Sequence, residues 1–226
     1  WEVAGCTLLD DLALATVEEG MEGITCCHGI PGTVGGAIAG NAGAWGRQIG
    51  EAVVSVTVMD PDGSVRDLAS GDLGFAYRHS NLRQTGQVVL RARLRLSGGD
   101  ASALLEERDR ILSQREEKHP DLDTDPCIGS IFRNIEPRSN AERRQAAGWF
   151  LEQAGAKDMT VGGARVYPKH ANIVVKGPGC TAQDVRDLIA RMQQAVLDRF
   201  GLALQREVRF LGRFRGEEDQ PSDRFF

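Results

Sequence analysis

The sequence predicts an α+β fold, and three observations carry that reading. Period-two segments rich in valine stand beside segments with a helical period, and the two kinds do not alternate as regular βαβ units. A break at Gly98-Gly99 also separates a glycine-rich N-terminal half from a more helical C-terminal half. With 226 residues, 41% hydrophobic and 26% charged, the chain can bury one good-sized core or two small ones. The expected organisation is a first domain over residues 1–97, a second over 98–212, and a loose, charged, non-periodic tail over 213–226.

In chain order, Thr7 to Gly20 reads as a helix, with Thr7 as cap, Leu8, Leu12 and Ala15 on one face, and Gly20 as the left-handed stop. Eight glycines between Gly29 and Gly50 argue against a helix or strand there and for a loop that something approaches closely. Val53 to Met59 alternates as a strand, Asp60-Pro61-Asp62-Gly63 makes a turn, and Val65 to Leu68 returns. Gln87 to Leu96 is a strand with Val88, Leu90, Ala92, Leu94 and Leu96 facing the core and Arg91, Arg93 and Arg95 facing water. Asp100 to about Lys118 and about Ala141 to Ala154 read as helices, the latter stopping at Gly155. Asn172 to Lys176 is a strand, and Gly177-Pro178-Gly179 a turn. Thr181 to Phe200 is the best-patterned helix, and Leu204 to Leu211 an alternating strand.

A net charge of −5 makes nucleic acid a poor partner. No apolar run reaches the roughly 20 residues of a membrane span, and no signal segment opens the chain, so the default compartment is the cytoplasm. Cysteines 6, 26, 27, 127 and 180 form no CxxC pair, so they read as reduced thiols, with neither a disulfide framework nor a metal site.

Several segments carry chemistry. GIPGTVGG, from Gly29 to Gly36, followed by Asn41-Ala42-Gly43, offers backbone N–H groups to an anionic or planar ligand, or serves only tight turns. It is neither a Walker loop nor a dinucleotide fingerprint. Tyr77-Arg78-His79-Ser80 brings a phenol, a fixed cation, an imidazole and a hydroxyl together, which suits an anionic group or a solvated turn. Ser130 lies in no nucleophile elbow and is either a loop serine or a proton donor. Glu207, opposite Leu204, Val208 and Phe210 by alternation, is a surface charge or, if it faces a cleft, an acid.

Read in order, GIPGTVGGAIAGNAGAWG, YRHS, KHPDLDTDPCIGSIFRN, GGARVYPKHANIVV, TAQDV and REVRFLG resemble successive signatures of the UDP-N-acetylenolpyruvoylglucosamine reductases, over about Val3 to Gly212. The spacing between Tyr77 and Ser130 resembles the shorter of that family's two types. The resemblance implies part of an FAD-binding domain of the vanillyl-alcohol-oxidase-like type, followed by an α+β substrate-binding domain. It implies FAD as cofactor, NADPH as co-substrate, a UDP-sugar enolpyruvate as substrate and a monomer. Positions matching Arg78, Ser130 and Glu207 are catalytic in the family: the serine donates a proton, and the other two stabilise the enol or enolate. Tyr77, Lys118, Asn134 and His170 match substrate-binding positions. Gly29, Ile30, Pro31, Gly32, Thr33, Gly35, Gly36, Asn41, Ala42 and Gly43 match the segment that packs against the flavin.

Trp45 stands where a tyrosine is usual, Ile135 where a proline commonly follows the asparagine, and His170 where a glutamine is common. Family members also begin with a subdomain carrying a GGGSN-like loop, which the chain as given starts after. Weak or no FAD binding by the chain alone is therefore expected. The alternatives at this stage are another flavoprotein oxidoreductase of the same superfamily, such as a sugar oxidase using oxygen, and a non-catalytic nucleotide-sugar-binding protein.

Overall fold

The computed structural model of the chain describes residues 1–136 and 144–215. These fall into two compact units, Trp1–Arg115 and a second beginning at Glu116.

The first unit is built on an antiparallel sheet of β1 (Glu2–Ala4), β5 (Val53–Met59), β6 (Val65–Ala69) and β7 (Val88–Leu94), in the order β1-β7-β5-β6. Around it lie α1 (Leu9–Glu18), α2 (Val34–Gly40), α3 (Leu82–Thr85), and two small pairs, β2 (Met21–Glu22) with β8 (Ser97–Gly98) and β3 (Gly43–Ala44) with β4 (Arg47–Gln48), besides short 3-10 turns. Val56, Val58, Ala92 and Leu94 from the sheet, Leu9, Leu12 and Ala13 from α1, and Val34, Ala37 and Ile38 from α2 form one buried cluster.

Sequence and structure part company in three places here. Thr7 does not cap α1; Leu8 holds that position with no side-chain cap, because residues 7–9 are engaged in bonding the glycine-rich loop. Val34 N–H donates to Thr7 O (2.9 Å) and Leu9 N–H to Gly32 O (2.9 Å). The loop itself contains a helix, α2, capped by Thr33, whose Oγ1 accepts from Gly36 N–H at 3.2 Å, and ended by Asn41 in the left-handed region at φ 46. Its glycines are tolerated because one of them is needed: Gly35 N–H donates to Gly5 O at 2.8 Å, and a Cβ at Gly35 would stand 3.0 Å from that oxygen. In β7 the alternation slips, since the register against β5 shifts between Thr57 and Val58. Val88 and Leu90 are therefore exposed and Val89 packs on the core instead.

The second unit has an antiparallel sheet of β9 (Cys127–Ser130), β10 (Thr160–Val161), β11 (Ala164–Tyr167) and β12 (His170–Lys176), in the order β10-β11-β12-β9. α4 (Ala101–Lys118) contains the boundary between the units, and α5 (Ala147–Gln153) and α6 (Ala182–Phe200) belong to the second unit. α6 follows its pattern closely. Thr181 and Asp184 form a reciprocal capping box, Gly201 stops the helix at φ 63, and Leu188, Ile189, Met192 and Val196 are buried. Each such side chain contributes about 1.5–3 kcal/mol over exposure.

The helix expected from Ala141 is shorter, beginning at Ala147; residues 141–143 lie outside the described residues. The strand expected from Leu204 to Leu211 is absent, and a single bridge, Phe132↔Arg206, stands in its place. Its partner segment bonds it through Arg133 N–H to Gln205 O (2.9 Å) and Glu207 N–H to Ile131 O (2.8 Å), while Ile131 N–H goes instead to Asn172 O (2.9 Å) and Ile135 exchanges both backbone bonds with Gln145 (2.9 and 3.0 Å). At the start of the expected loose tail, Arg215 N–H donates to Gln183 Oε1 (2.9 Å), and residues 216–226 lie outside the described residues. No helix among the described residues is long and apolar enough to cross a membrane.

Candidate active site

In the first unit the glycine-rich segment, the β3–β4 hairpin and the Tyr77-Arg78 turn meet around Asn41. This residue is fully buried, and its amide is fully used. Nδ2 donates to Gln48 Oε1 (2.9 Å) and Ala76 O (2.8 Å), and Oδ1 accepts from Gly50 N–H (3.0 Å). Ala76 and His79 pair across Tyr77 and Arg78, with Arg78 at φ 54, so the two side chains stand at the tip of a tight turn. Arg78 Nη1 donates to Gly43 O at 2.8 Å and its guanidinium lies 5.4 Å from the Tyr77 ring centre. Ser80, fully buried, donates to Ala39 O (2.8 Å) and locks the turn onto α2.

The glycines divide by role. Gly29, Gly35 and Gly43 are glycine because protein fills the place of a Cβ: the Arg115 side chain 2.7 Å away, Gly5 O at 3.0 Å and Arg47 O at 2.1 Å respectively. Gly32 has φ 120 and nothing within 4 Å, and a Cβ at Gly36 would meet only Thr33 Oγ1, at 3.5 Å. Pro31, Gly32 and Gly36 are exposed, while Ile30, Thr33 and Ala42 are half-buried. The expectation of many available N–H donors does not hold: those of Gly29, Ile30, Val34, Gly35 and Gly36 already bond to Asp10, Cys27, Thr7, Gly5 and Thr33. What remains open is the backbone at Gly32 and Gly36.

In the second unit Ser130 ends β9, exposed, after Gly129 at φ 77. Its neighbour Ile131 is held from two sides: Ile131 N–H donates to Asn172 O (2.9 Å), and Glu207 N–H donates to Ile131 O (2.8 Å). Glu207 is thus carried to the residue next to Ser130 by backbone bonds, despite the missing strand. Asn134 Oδ1 accepts from Ala147 N–H (3.2 Å) at the start of α5. His170 opens β12, its ring 5.7 Å from that of His119, and Nδ1 accepts from Asn172 N–H at 3.2 Å. Burial, then the charges of Lys157 and Lys118, hold the His170 pKa below the ordinary histidine value. Lys118 is exposed at the end of α4.

The structure thus gathers Tyr77, Arg78 and the glycine-rich segment in one unit, and Ser130, Asn134, His170 and Glu207 in the other. Sequence reading missed the residues that hold these groups in place. Gly5 gave no signal, yet a Cβ there would lie 2.0 Å from Val89 O. Asp10, in the first turn of α1, accepts from Gly29 N–H (2.8 Å) and faces His28 Nδ1 (3.3 Å). Asn172 looked like an ordinary strand residue.

Residues 120–211 match the model of the UDP-N-acetylenolpyruvoylglucosamine reductase C-terminal domain, and residues 2–69 match an FAD binding domain. A UDP-N-acetylenolpyruvoylglucosamine reductase from Gloeobacter violaceus is 41% identical over 203 residues, 89% of this chain and 66% of its own length. One from Anoxybacillus flavithermus is 36% identical, over 93% of this chain and 67% of its own length. The chain belongs to the UDP-N-acetylenolpyruvoylglucosamine reductase family. The crystal structure of a reductase of that name from Thermus caldophilus aligns with a TM-score of 0.77 at 29% identity, covering 92% of this chain and 71% of the other. The chain spans about two thirds of the length of the curated reductases it matches (66% and 67% of the two above). Both units fall within the reductase match, the glycine-rich segment and hairpin inside the FAD-binding region, and Ser130, Asn134, His170 and Glu207 inside the C-terminal region.

Proposed function

We propose that the chain is part of an FAD-dependent, NADPH-using reductase that converts UDP-N-acetylglucosamine enolpyruvate to UDP-N-acetylmuramate, in the synthesis of peptidoglycan precursors. The observation that carries this reading is the gathering of Ser130, Asn134, His170 and Glu207 around residues 130–134, within the region that matches the reductase C-terminal domain.

The first unit suits the flavin ring better than it suits a phosphate. Gly32 and Gly36 leave open a stretch of side-chain-free backbone that a planar ring can approach closely, while most of the loop's N–H groups are already bonded. Ile30, Pro31, Thr33, Ala42 and the hairpin at Gly43 border that stretch, and Gly29, Gly35 and Asn41 fix its shape. When bound, FAD supplies hydride chemistry and takes its electrons from NADPH.

The chain's own residues then supply charge and protons. Arg78, aimed by its bond to Gly43 O, opposes the negative charge that grows on the substrate carboxylate as the double bond is reduced. Ser130 gives its hydroxyl proton to the carbon beside that carboxylate. The alkoxide left behind is stabilised by nearby donors, with Lys118 the candidate cation. Glu207 stabilises the enol form. Tyr77, Lys118, Asn134 and His170 hold the anionic and sugar parts of the substrate. His170, kept neutral by burial and two lysines, serves as an uncharged hydrogen-bonding group, as a glutamine would. The protein acts as a cytoplasmic monomer with no nucleic-acid partner.

The test is NADPH consumption by the complete reductase of which the chain is proposed to be part, supplied with FAD, with and without the enolpyruvate substrate. Consumption that depends on substrate supports the reading. Binding of the UDP-sugar with no flavin-linked consumption would replace it with a nucleotide-sugar-binding role.

A further inference from the structure

Cys26 and Cys27 occupy a single 3-10 turn, Thr25–Cys27, with their sulfur atoms 3.9 Å apart. Both are buried, at 5% and 0% exposure, and neither has a place in the reductase chemistry above. The turn packs against the β3–β4 hairpin on one side. On the other it leads directly into the glycine-rich loop, since Ile30 N–H donates to Cys27 O at 3.1 Å.

The two thiols are not equivalent. The Cys26 thiol is lowered to about 7, chiefly by its hydrogen bond with the Cys27 thiol, with the Ala44 backbone N–H and the Arg47 charge adding to the effect against the opposing cost of burial and the Glu51 carboxylate. The Cys27 thiol moves in the opposite direction, held protonated by that same hydrogen bond and by its own burial, against the opposing charges of Arg115 and Arg47. One sulfur is thus prepared as a nucleophile, with a thiol in contact with it.

We propose that Cys26 and Cys27 form a reversible two-electron oxidation site that takes hydrogen peroxide and closes a disulfide within the turn leading into the glycine-rich loop. The Cys26 thiolate attacks a peroxide oxygen and the O–O bond breaks. The departing hydroxide takes the Cys27 proton and leaves as water, so that Cys26 becomes a sulfenic acid. The Cys27 thiolate then attacks the Cys26 sulfur and the S–O bond breaks. The second hydroxide takes up the proton that Cys26 had earlier released, giving one disulfide and two waters from two thiols and one peroxide. Neighbouring residues are held about 3.8 Å apart at Cα, below the roughly 4.4–6.8 Å usual for disulfides. The bond is therefore strained and readily reduced, which makes the change reversible.

The experiment treats the chain with hydrogen peroxide, in the Cys6→Ser/Cys127→Ser/Cys180→Ser background and in the native chain, and weighs the peptide carrying residues 26 and 27. The expected result is loss of two hydrogens, reversed by dithiothreitol. In Cys27→Ser, dimedone should trap a sulfenic acid on Cys26, and in Cys26→Ser it should leave Cys27 unlabelled. The native chain gives the mass readout even if either variant fails to fold. Peroxide that leaves both thiols free, carries Cys26 on to sulfinic acid without a disulfide, or labels Cys27 as readily as Cys26 would overturn the proposal. The reductase reading does not depend on any of these outcomes.

Discussion

Replacing Asn41 separates two contributions that the structure places on one residue. Asn41→Ala removes three hydrogen bonds, at 2.9, 2.8 and 3.0 Å, in a fully buried setting. At about 1 kcal/mol net for each, that loss is about 3 kcal/mol. Alanine must also keep the left-handed backbone at φ 46 and ψ 57, which adds about 1 kcal/mol. Asn41→Gly loses the same bonds and adopts that backbone freely, so it should cost about 3 kcal/mol where alanine costs about 4. Native-state hydrogen exchange of the β5 and β7 amides reads the first unit by itself. The difference between the variants should appear there as roughly a fivefold change in protection. If alanine costs less than about 1 kcal/mol, Asn41 is not the pin described here, and equal losses from alanine and glycine would remove the backbone contribution.

Two further outcomes follow from the same structure. Burial holds the pKa of His28 below its ordinary value, so the unfolded chain binds a proton there more readily than the folded chain. Stability from this residue is complete above about pH 6.5 and is lost as the pH falls through and below that value. Urea titrations from neutral to acidic pH should show this loss, and His28→Leu should flatten it; an unchanged slope would contradict the assignment. At α6, Thr181→Ala should cost about 1 kcal/mol by removing the cap. The Asp184 carboxylate, held below its usual range by the Thr181 backbone N–H, contributes at neutral pH and loses that contribution below about pH 4. Asp184→Asn should weaken the acid dependence of helix stability measured by circular dichroism.

How much could be read beforehand depended on whether an element's reason was local. The cap, stripe and stop of α6 lie within its own residues, and it formed as the pattern required. The Asp60–Gly63 turn likewise contains its own instructions, with Gly63 at φ 86. α2 was illegible because its glycines answer to Gly5 and Val89, distant in sequence. β7 lost its alternation to a slip against β5 that no single strand encodes. The strand expected after Leu204 stops at one bridge because the neighbouring groups of its partner segment are committed elsewhere, Ile131 N–H to Asn172 O and Ile135 to Gln145. Among the site residues, Arg78, Ser130 and Glu207 were visible as residue types in suggestive company. The bonds that aim them, from Arg78 to Gly43 and from Glu207 to Ile131, were not.

The most direct test of the proposed chemistry is Ser130→Ala in the flavin-loaded protein, with the two halves of the reaction followed separately by flavin absorbance. The account predicts that NADPH reduces the flavin at an unchanged rate, while oxidation of the reduced flavin by the enolpyruvate substrate slows by about 10²–10⁴-fold. Reoxidation by substrate at the unaltered rate would contradict it.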